Sequence, residues 1–184
     1  AFNILNQMRY IAGVPADVSE KAEYTELAQA ASLVNAANDE LTHYPVQPAG
    51  MDDDLYQLGA AGASSSNIAW GTPDRPHATS RQIVHSVYLW MSDSDDKNIN
   101  VLGHRRWIIN PDMLYSGFGE AEGYSAVYAH DKSRGDSSYY GVAWPAQNMP
   151  VEYFNDDDAW SVSFGMELTA SNVSVTLTRQ NDEI

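Results

Sequence analysis

Apolar positions at the start of the chain recur with the period of an α-helix. Ile4, Met8 and Ile11 fall on one face, and Gly13 and Pro15 follow them as stop signals. The pattern therefore predicts an amphipathic helix over roughly the first dozen residues of the chain.

A second helical pattern begins a few residues later. Asp17 and Glu20 have the spacing of an N-cap residue and its capping-box partner. The apolar face that follows predicts a helix ending near Asn38, and it consists of Leu27, Ala30, Ala31, Val34 and Ala37. The Pro- and Gly-containing stretch after it predicts a loop, which places His43 just beyond a helix end.

Three aspartates, at 52–54, precede Leu55 and Leu58 and suit the first turn of another helix, for which Gly59 is the predicted stop. Residues 59–76 are rich in Gly, Ala, Ser and Pro and predict an irregular connection, held in place by burial of Trp70.

The next helical pattern is capped by Thr79 or Ser80 and ends near Asp93. Its apolar face has the i, i+4, i+7, i+8 spacing and consists of Ile83, Val87, Trp90 and Met91.

From Gly117 the period changes from 3.6 to 2, which predicts a meander of antiparallel strands at 118–122, 124–130 and 139–144. Helices followed by strands indicate an α+β domain over residues 1–150. Residues 151–184 predict an acidic linker and strands at 160–164 and 173–178. They are either the first strands of a truncated β module or the final strands of the first domain's sheet.

The charge balance limits the partners. Ten Lys and Arg against 25 Asp and Glu give a formal net charge of −15, which argues against binding to nucleic acid or to an anionic membrane surface. A hydrophobic content of 43% supports a globular core, and no apolar run is long enough for a membrane span. Since the chain has no cysteine, any metal site must use nitrogen and oxygen ligands.

Several familiar catalytic and metal motifs are missing. The nearest approach to G-x-S-x-G, at 62–66, lacks the closing Gly, and no His is followed by Glu, which excludes H-E-x-x-H. The acidic stretch from Asp96 has Val101 and Trp107 where an EF-hand loop needs Gly and Glu. The triple-Asp runs are interpreted as helix-start and linker charge.

The densest unusual stretch is N-I-N-V-L-G-H-R-R-W-I-I-N-P at 98–111. Residue type alone leaves His104 open as a hydrogen-bonded structural residue or as a ligand. Arg105 and Arg106 can meet an anionic ligand or pair with the chain's own carboxylates.

A series of short motifs in order closely resembles the CAP superfamily, also called SCP/TAPS after cysteine-rich secretory proteins, antigen 5 and pathogenesis-related 1. The resemblance covers about residues 1–150, and W-P-A-Q-N-M-P at 144–150 is similar to a cysteine-free branch in multidomain exported proteins of Gram-positive bacteria. The motifs are L-N-Q-M-R-Y at 5–10, Thr42-His43-Tyr44, Ser66-Asn67-Ile68-Ala69, Trp90-Met91-Ser92-Asp93, Gly103-His104-Arg105-Arg106 and Gly117-Phe118-Gly119.

The resemblance implies a three-layer α-β-α sandwich with a central antiparallel sheet and a cleft that bears two His and two acidic residues. The family histidines match His43 and His104, and one family acid matches Asp93. The other family acid, a Glu, matches Ser66, so this chain departs from the family there. Asn67, beside Ser66, is interpreted as a loop-bracing amide.

Two imidazoles, one carboxylate and a water would satisfy four-coordinate Zn²⁺, so His43, His104 and Asp93 are the candidate metal ligands, with Zn²⁺ the first choice. Ser66 cannot replace a second carboxylate in moving a proton, although it could hydrogen-bond an imidazole. No organic cofactor is expected.

The leading hypothesis is an extracellular or cell-surface bacterial module, part of a larger multidomain chain, whose cleft binds a divalent metal and a peptide, glycan or lipid ligand. The alternatives are a metal-dependent, protease-like hydrolase and a lipid or sterol carrier. In a further alternative, the cleft is a polar remnant that only orders its loops.

Overall fold

A computed structural model describes residues 1–71, 82–135, 141–155, 157–166 and 168–176. It is a mixed helical and β structure with a small antiparallel sheet. The α-helices are α1 (Phe2–Ile11), α2 (Ala22–Asn38), α3 (Asp53–Ser65), α4 (Gln82–Ser92) and α5 (Gly103–Ile108). The strands are β1 (Ser19–Glu20), β2 (Ser66–Trp70), β3 (Tyr115–Ser116), β4 (Phe118–Ala121), β5 (Tyr124–Tyr128), β6 (Val142–Trp144) and β7 (Ser161–Ser163). Two 3₁₀ turns lie at Val151–Tyr153 and Ala170–Asn172.

The main sheet has the strand order β2-β5-β4, with both pairs antiparallel. The predicted hairpin of β4 and β5 is confirmed, and its turn contains Glu122 and Gly123, both with positive φ. Two successive left-handed residues suit a two-residue hairpin turn because their twist matches that of the flanking strands.

Successive residues of the sheet belong to different apolar clusters, as the alternation of a strand requires. Ile68 and its cross-strand partner Ala126 pack with alanines of α2 and α3. The next residues along the two strands, Ala69 and Val127, belong to a larger cluster that includes Trp90 and residues of α1, α4 and α5. The sheet is thus in contact with two separate sets of apolar side chains.

Glycines allow α2 to lie very close to its neighbours. A Cβ added at Gly62 of α3 would lie 2.0 Å from the carbonyl oxygen of Leu27. A Cβ at Gly117 would lie 2.1 Å from the amide nitrogen of Thr25, and one at Gly119 would lie 2.3 Å from Ala28 backbone atoms. Backbone contacts on this scale exclude any side chain at the three glycines.

The prediction for α1 is confirmed, and α2 ends at Asn38 as expected, but the predicted start of α2 is wrong. Residues 19–20 form β1, which pairs in parallel with β3, and the helix begins only at Ala22. Tertiary contacts outweigh the capping pattern here. The Val18 side chain is buried, and Asn6 holds the Val18 main chain through two hydrogen bonds.

The predicted helix stop at Gly59 is also wrong, and so is the irregular connection over residues 59–70, while residues 72–76 of that prediction lie outside the described residues. Asp52 caps α3 by accepting from the Asp54 and Leu55 amides, but the helix continues through Gly59 to Ser65 and leads directly into β2. Trp70, predicted to be buried, is 52% exposed. The alternative helix caps at Thr79 and Ser80 lie outside the described residues, and α4 ends at Ser92 as predicted.

The strand predicted at 160–164 is confirmed as β7, which pairs with β6 instead of extending the main sheet. Arg105 of α5 also reaches this segment by donating to the Ala159 carbonyl and the Ser161 hydroxyl. These contacts join the segment to β6 and α5, while the boundary at residue 150 and both alternatives for residues 151–184 stay predictions. Residues 173–176 do not form the expected strand.

Among the helices described, none combines the length and the apolar character needed to cross a membrane.

Candidate functional site

Three histidines line one cleft of about 260 Å³. His43 comes from the loop after α2, His104 from the first turn of α5 and His130 from the segment after β5. Ser66 and Asn67, at the start of β2, and Trp107 of α5 line the same cleft. The motif residues His43, Ser66 and His104, which are far apart in sequence, therefore meet in space.

The His43 ring has a fixed orientation. Its Nδ1 lies 2.7 Å from the carbonyl oxygen of Ala63. Because a carbonyl oxygen can only accept, Nδ1 donates and the neutral ring keeps a lone pair on Nε2. The preceding residue is anchored as well, since the Thr42 amide donates to the Asn35 side chain.

His104 is oriented by Asp93. Its Nδ1 lies 2.8 Å from Asp93 Oδ1, and the Arg105 amide donates to Asp93 Oδ2. Asp93 follows the last residue of α4 and has φ of 50°, a left-handed conformation that Asp tolerates better than most residues. The indole of Trp90 in α4 donates to the Ile68 carbonyl, which fixes α4 against β2.

Asp93 therefore stands behind His104 instead of lining the cleft. Its side chain has no exposed surface, and both of its oxygens already accept hydrogen bonds from α5. A carboxylate on the Nδ1 side of an imidazole fixes the tautomer and makes Nε2 a better ligand or base. Asp93 therefore orients the His104 ring, and Nε2 of His104 is the ring nitrogen that can bind a ligand in the cleft.

Ser66 and Asn67 differ although they are adjacent. Asn67 Nδ2 donates to the His104 carbonyl, so this buried amide braces the first turn of α5 against β2. Ser66 is only 5% exposed, yet its hydroxyl has no hydrogen-bond partner in the described parts of the chain. The hydrogen bond that Ser66 could make to an imidazole is therefore not formed.

His130 was missed by the sequence analysis because it belongs to none of the motifs. Its ring lies 4.6 Å from that of Trp107, centroid to centroid. Partial burial, followed by the charges of Lys132 and His43, lowers the pKa of His130 below its usual value. The register of β2 and β5 is the feature that would have located His130. Ser66 pairs with Tyr128, so an antiparallel continuation of the two strands places residue 130 beside residue 64.

The side chains of the cleft provide some, but not all, of the ligands that a metal ion needs. Among the residues that the structure describes, no group of three or more His, Asp or Glu side chains is arranged to hold a metal ion. In both His43 and His104, however, an oxygen acceptor holds Nδ1 and leaves Nε2 as the second ring nitrogen. This is the usual arrangement of a histidine that binds a metal ion. The cleft can therefore supply imidazole nitrogens, while Asp93 is already occupied.

A cavity larger than the histidine cleft lies elsewhere in the described structure. It has a volume of about 630 Å³ and is lined by Arg106 of α5, Val142 of β6 and Val162 of β7, among others. Neither His43 nor His104 lines it.

Unlike Arg106, which lines this cavity, Arg105 is fully buried. It donates to the carbonyls of Met91, Ser92 and Ala159, so it has a structural role.

Comparisons of this chain with protein-family models, with curated protein sequences and with solved structures found no match.

Proposed function

We propose that residues 1–150 are a CAP-type domain from an exported or cell-surface bacterial protein. The proposal is supported by the convergence of motifs that are widely separated along the chain. The motifs containing His43, Ser66 and His104 supply lining residues of one cleft, and the motif ending in Asp93 supplies the partner of His104. We also propose that the layers form an α-β-α sandwich, because adjacent residues of β2 and β5 contact different helical clusters.

The proposed activity is binding of a divalent cation, with Zn²⁺ as the first choice, together with a ligand. The observation that carries it is the pair of held imidazoles, each with Nδ1 bound to an oxygen acceptor. His43 and His104 would hold the ion through Nε2, and water or ligand oxygens would complete its coordination. Imidazole suits Zn²⁺, and a bound Zn²⁺ would polarise a ligand oxygen as a Lewis acid.

Calorimetric titration of the metal-free protein with Zn²⁺ tests this proposal. His43→Ala and His104→Ala should each remove most of the binding, while His85→Ala, on α4 and away from the cleft lining, should leave it unchanged. Binding should weaken in acid because a protonated imidazole cannot ligate. Equal Zn²⁺ uptake by the wild type and the His43→Ala/His104→Ala double variant would remove the proposal.

A metal-dependent hydrolase remains the second candidate, and the Asp93–His104 pair favours it. An imidazole oriented by a buried carboxylate is the usual arrangement of a general base. However, no carboxylate is among the described residues that line the cleft, so a second proton-transfer group is missing from this set. Turnover of a fluorescent protein substrate that is lost on chelation and in His104→Ala would establish this alternative.

A further inference from the structure

The histidine cleft continues into a second cavity of about 490 Å³ beside α3. The two cavities share His43, Tyr44 and Ser64 as lining residues. Together they form a groove whose lining includes Trp107 in the first cavity and Tyr56 in the second. We call it the long groove.

The lining of the long groove is uncharged in a very acidic protein. None of the described residues that line either cavity is Asp, Glu, Lys or Arg, although the chain has 35 such residues (10 basic and 25 acidic). Its neutral polar side chains include Gln57, Ser64, Asn67 and Asn98. The Asn67 and Asn98 amide groups and the Ser64 hydroxyl already donate to protein acceptors, so their oxygen atoms are the groups left to accept from a ligand. Unless a cation is bound at the histidines, an anionic ligand finds no fixed counter-charge in this lining and is repelled by the net charge of −15.

The groove lining includes two aromatic rings, Tyr44 and Trp107, on well-anchored backbone. Tyr44, where the cavities meet, is 86% exposed, yet its main-chain amide is bound to the Thr42 hydroxyl and the adjacent His43 ring is bound to Ala63. Trp107 is supported by His130. Rings on an anchored backbone provide contact area at a small cost in conformational entropy.

Ser66 adds a buried hydroxyl without a partner next to the groove. Ser66 is a lining residue of the cleft and is 95% buried, and its hydroxyl oxygen, which is itself shielded from solvent, has no partner among the described residues. A buried hydroxyl without a hydrogen bond is costly.

We propose that the long groove binds a neutral oligosaccharide. This inference rests on the proposed function, because it takes the histidine cleft as the ligand site. A sugar ring has an apolar face that can stack on Tyr44 or Trp107 and a rim of hydroxyls that can pair with uncharged amides, hydroxyls and imidazoles. A neutral peptide offers fewer hydrogen-bonding groups for each apolar face, so it is less complementary to a lining of aromatic rings and uncharged polar groups.

The test is calorimetric titration of the full chain with two uncharged probes, tetra-N-acetylchitotetraose and cellotetraose, with and without Zn²⁺. At least one probe should bind saturably at millimolar concentration. Tyr44→Ala should weaken that binding about tenfold, since a stacked aromatic contact contributes roughly that factor. Tyr10→Ala removes a similarly exposed ring from α1, outside the groove lining, and should leave the affinity unchanged.

Failure of both probes to bind, or equal binding by wild type and Tyr44→Ala, would overturn the oligosaccharide proposal. Tighter binding of an uncharged Ala/Ser/Tyr peptide or of an anionic hyaluronan tetrasaccharide would overturn it as well. The cation proposal is judged separately from the Zn²⁺ titration. Zn²⁺ uptake without oligosaccharide binding removes this inference alone, whereas oligosaccharide binding without Zn²⁺ uptake removes the cation proposal alone.

Discussion

Nδ1 of His104 lies 2.8 Å from Oδ1 of Asp93, and the Asp93 side chain has no exposed surface. The second oxygen of the same carboxylate accepts from the Arg105 amide, so α5 supplies both hydrogen bonds. If the imidazole turned away, a buried carboxylate would lose a partner, which is costly in a low-dielectric interior. The orientation of His104 is therefore determined by folding and does not depend on a bound ligand.

Asp93→Asn tests whether Asp93 orients the His104 ring, because the substitution changes hydrogen bonding while keeping the shape of the side chain. The amide has nearly the same volume, but one end becomes a donor that faces either the Arg105 amide or the imidazole N–H. We expect Zn²⁺ affinity to fall by about 10- to 100-fold, the usual effect of losing a partner of a ligating histidine. The free energy of unfolding should decrease by about 1–3 kcal/mol because a buried donor is left unsatisfied.

Asp54→Asn is the matched control for this variant because Asp54 is an exposed carboxylate in the first turn of α3. Calorimetry and urea unfolding should show little change for it. Unaltered Zn²⁺ affinity in Asp93→Asn would contradict the orienting role of Asp93.

Sequence periodicity predicted much of the helical structure, and its errors have a common cause. The helical period of the apolar positions predicted α1 and the ends of α2 and α4 correctly, because that pattern is local. Gly59 and Gly62 have the same local signature, but they lie inside α3. There they permit contact with α2, a tertiary relationship that one segment's pattern does not reveal.

The candidate site was predicted unevenly for a related reason. Motif order brought His43 and His104 to attention, and they share a cleft. His130 was not found because its position depends on the pairing of β5 with β2, which is not encoded near residue 130. The orienting position of Asp93 also follows from side-chain geometry that the motif does not contain.

Gly62→Ala tests the close contact between α2 and α3. The new Cβ would lie 2.0 Å from the Leu27 carbonyl oxygen, so the helices would have to separate. We expect a loss of about 1–3 kcal/mol or more in the free energy of unfolding, as is usual for overpacking. Gly103→Ala, where a Cβ meets nothing within 4 Å, should be neutral or slightly stabilising. Equal unfolding midpoints in urea for the two variants would contradict the packing described here.

Asp131 should make the protein sensitive to acid. Its buried carboxylate accepts hydrogen bonds from the Tyr24 hydroxyl, the amides of Leu114 and Tyr115, and both the amide and hydroxyl of Ser133. Burial acts to raise the pKa of Asp131, but these hydrogen bonds outweigh it and lower the pKa below the ordinary value of 3.8.

The sign of the pH effect follows from this direction. Between the folded and unfolded pKa values of Asp131 the unfolded chain binds more protons, so stability rises with pH in that interval. The contribution is complete above the unfolded value of 3.8 and is lost as pH falls through the lower folded value. Asp131→Asn should cost about 2 kcal/mol at neutral pH. Urea unfolding between pH 2 and pH 7 should show a smaller loss of stability in acid for this variant than for the wild type.

Ser66→Glu tests whether the missing acid of the cleft can be restored. Ser66 lines the same cleft as His43 and His104, so a carboxylate there adds negative charge near two imidazoles. We expect Zn²⁺ binding to tighten by ~1 kcal/mol, about fivefold, through this attraction. Because Ser66 is 5% exposed, the metal-free variant should be less stable than the wild type, and saturating Zn²⁺ should raise its melting temperature more.

Ser66→Ala is the control that removes the hydroxyl without adding charge. Its Zn²⁺ affinity should equal that of the wild type, and its stability should be unchanged or slightly higher because the hydroxyl has no partner in the described structure. We expect no hydrolysis from Ser66→Glu, since catalysis also requires a substrate positioned within ~3 Å of the attacking group. Weaker Zn²⁺ binding by Ser66→Glu than by Ser66→Ala would mean that position 66 does not face the histidine pair, and metal-dependent turnover would show that the missing acid alone had prevented catalysis.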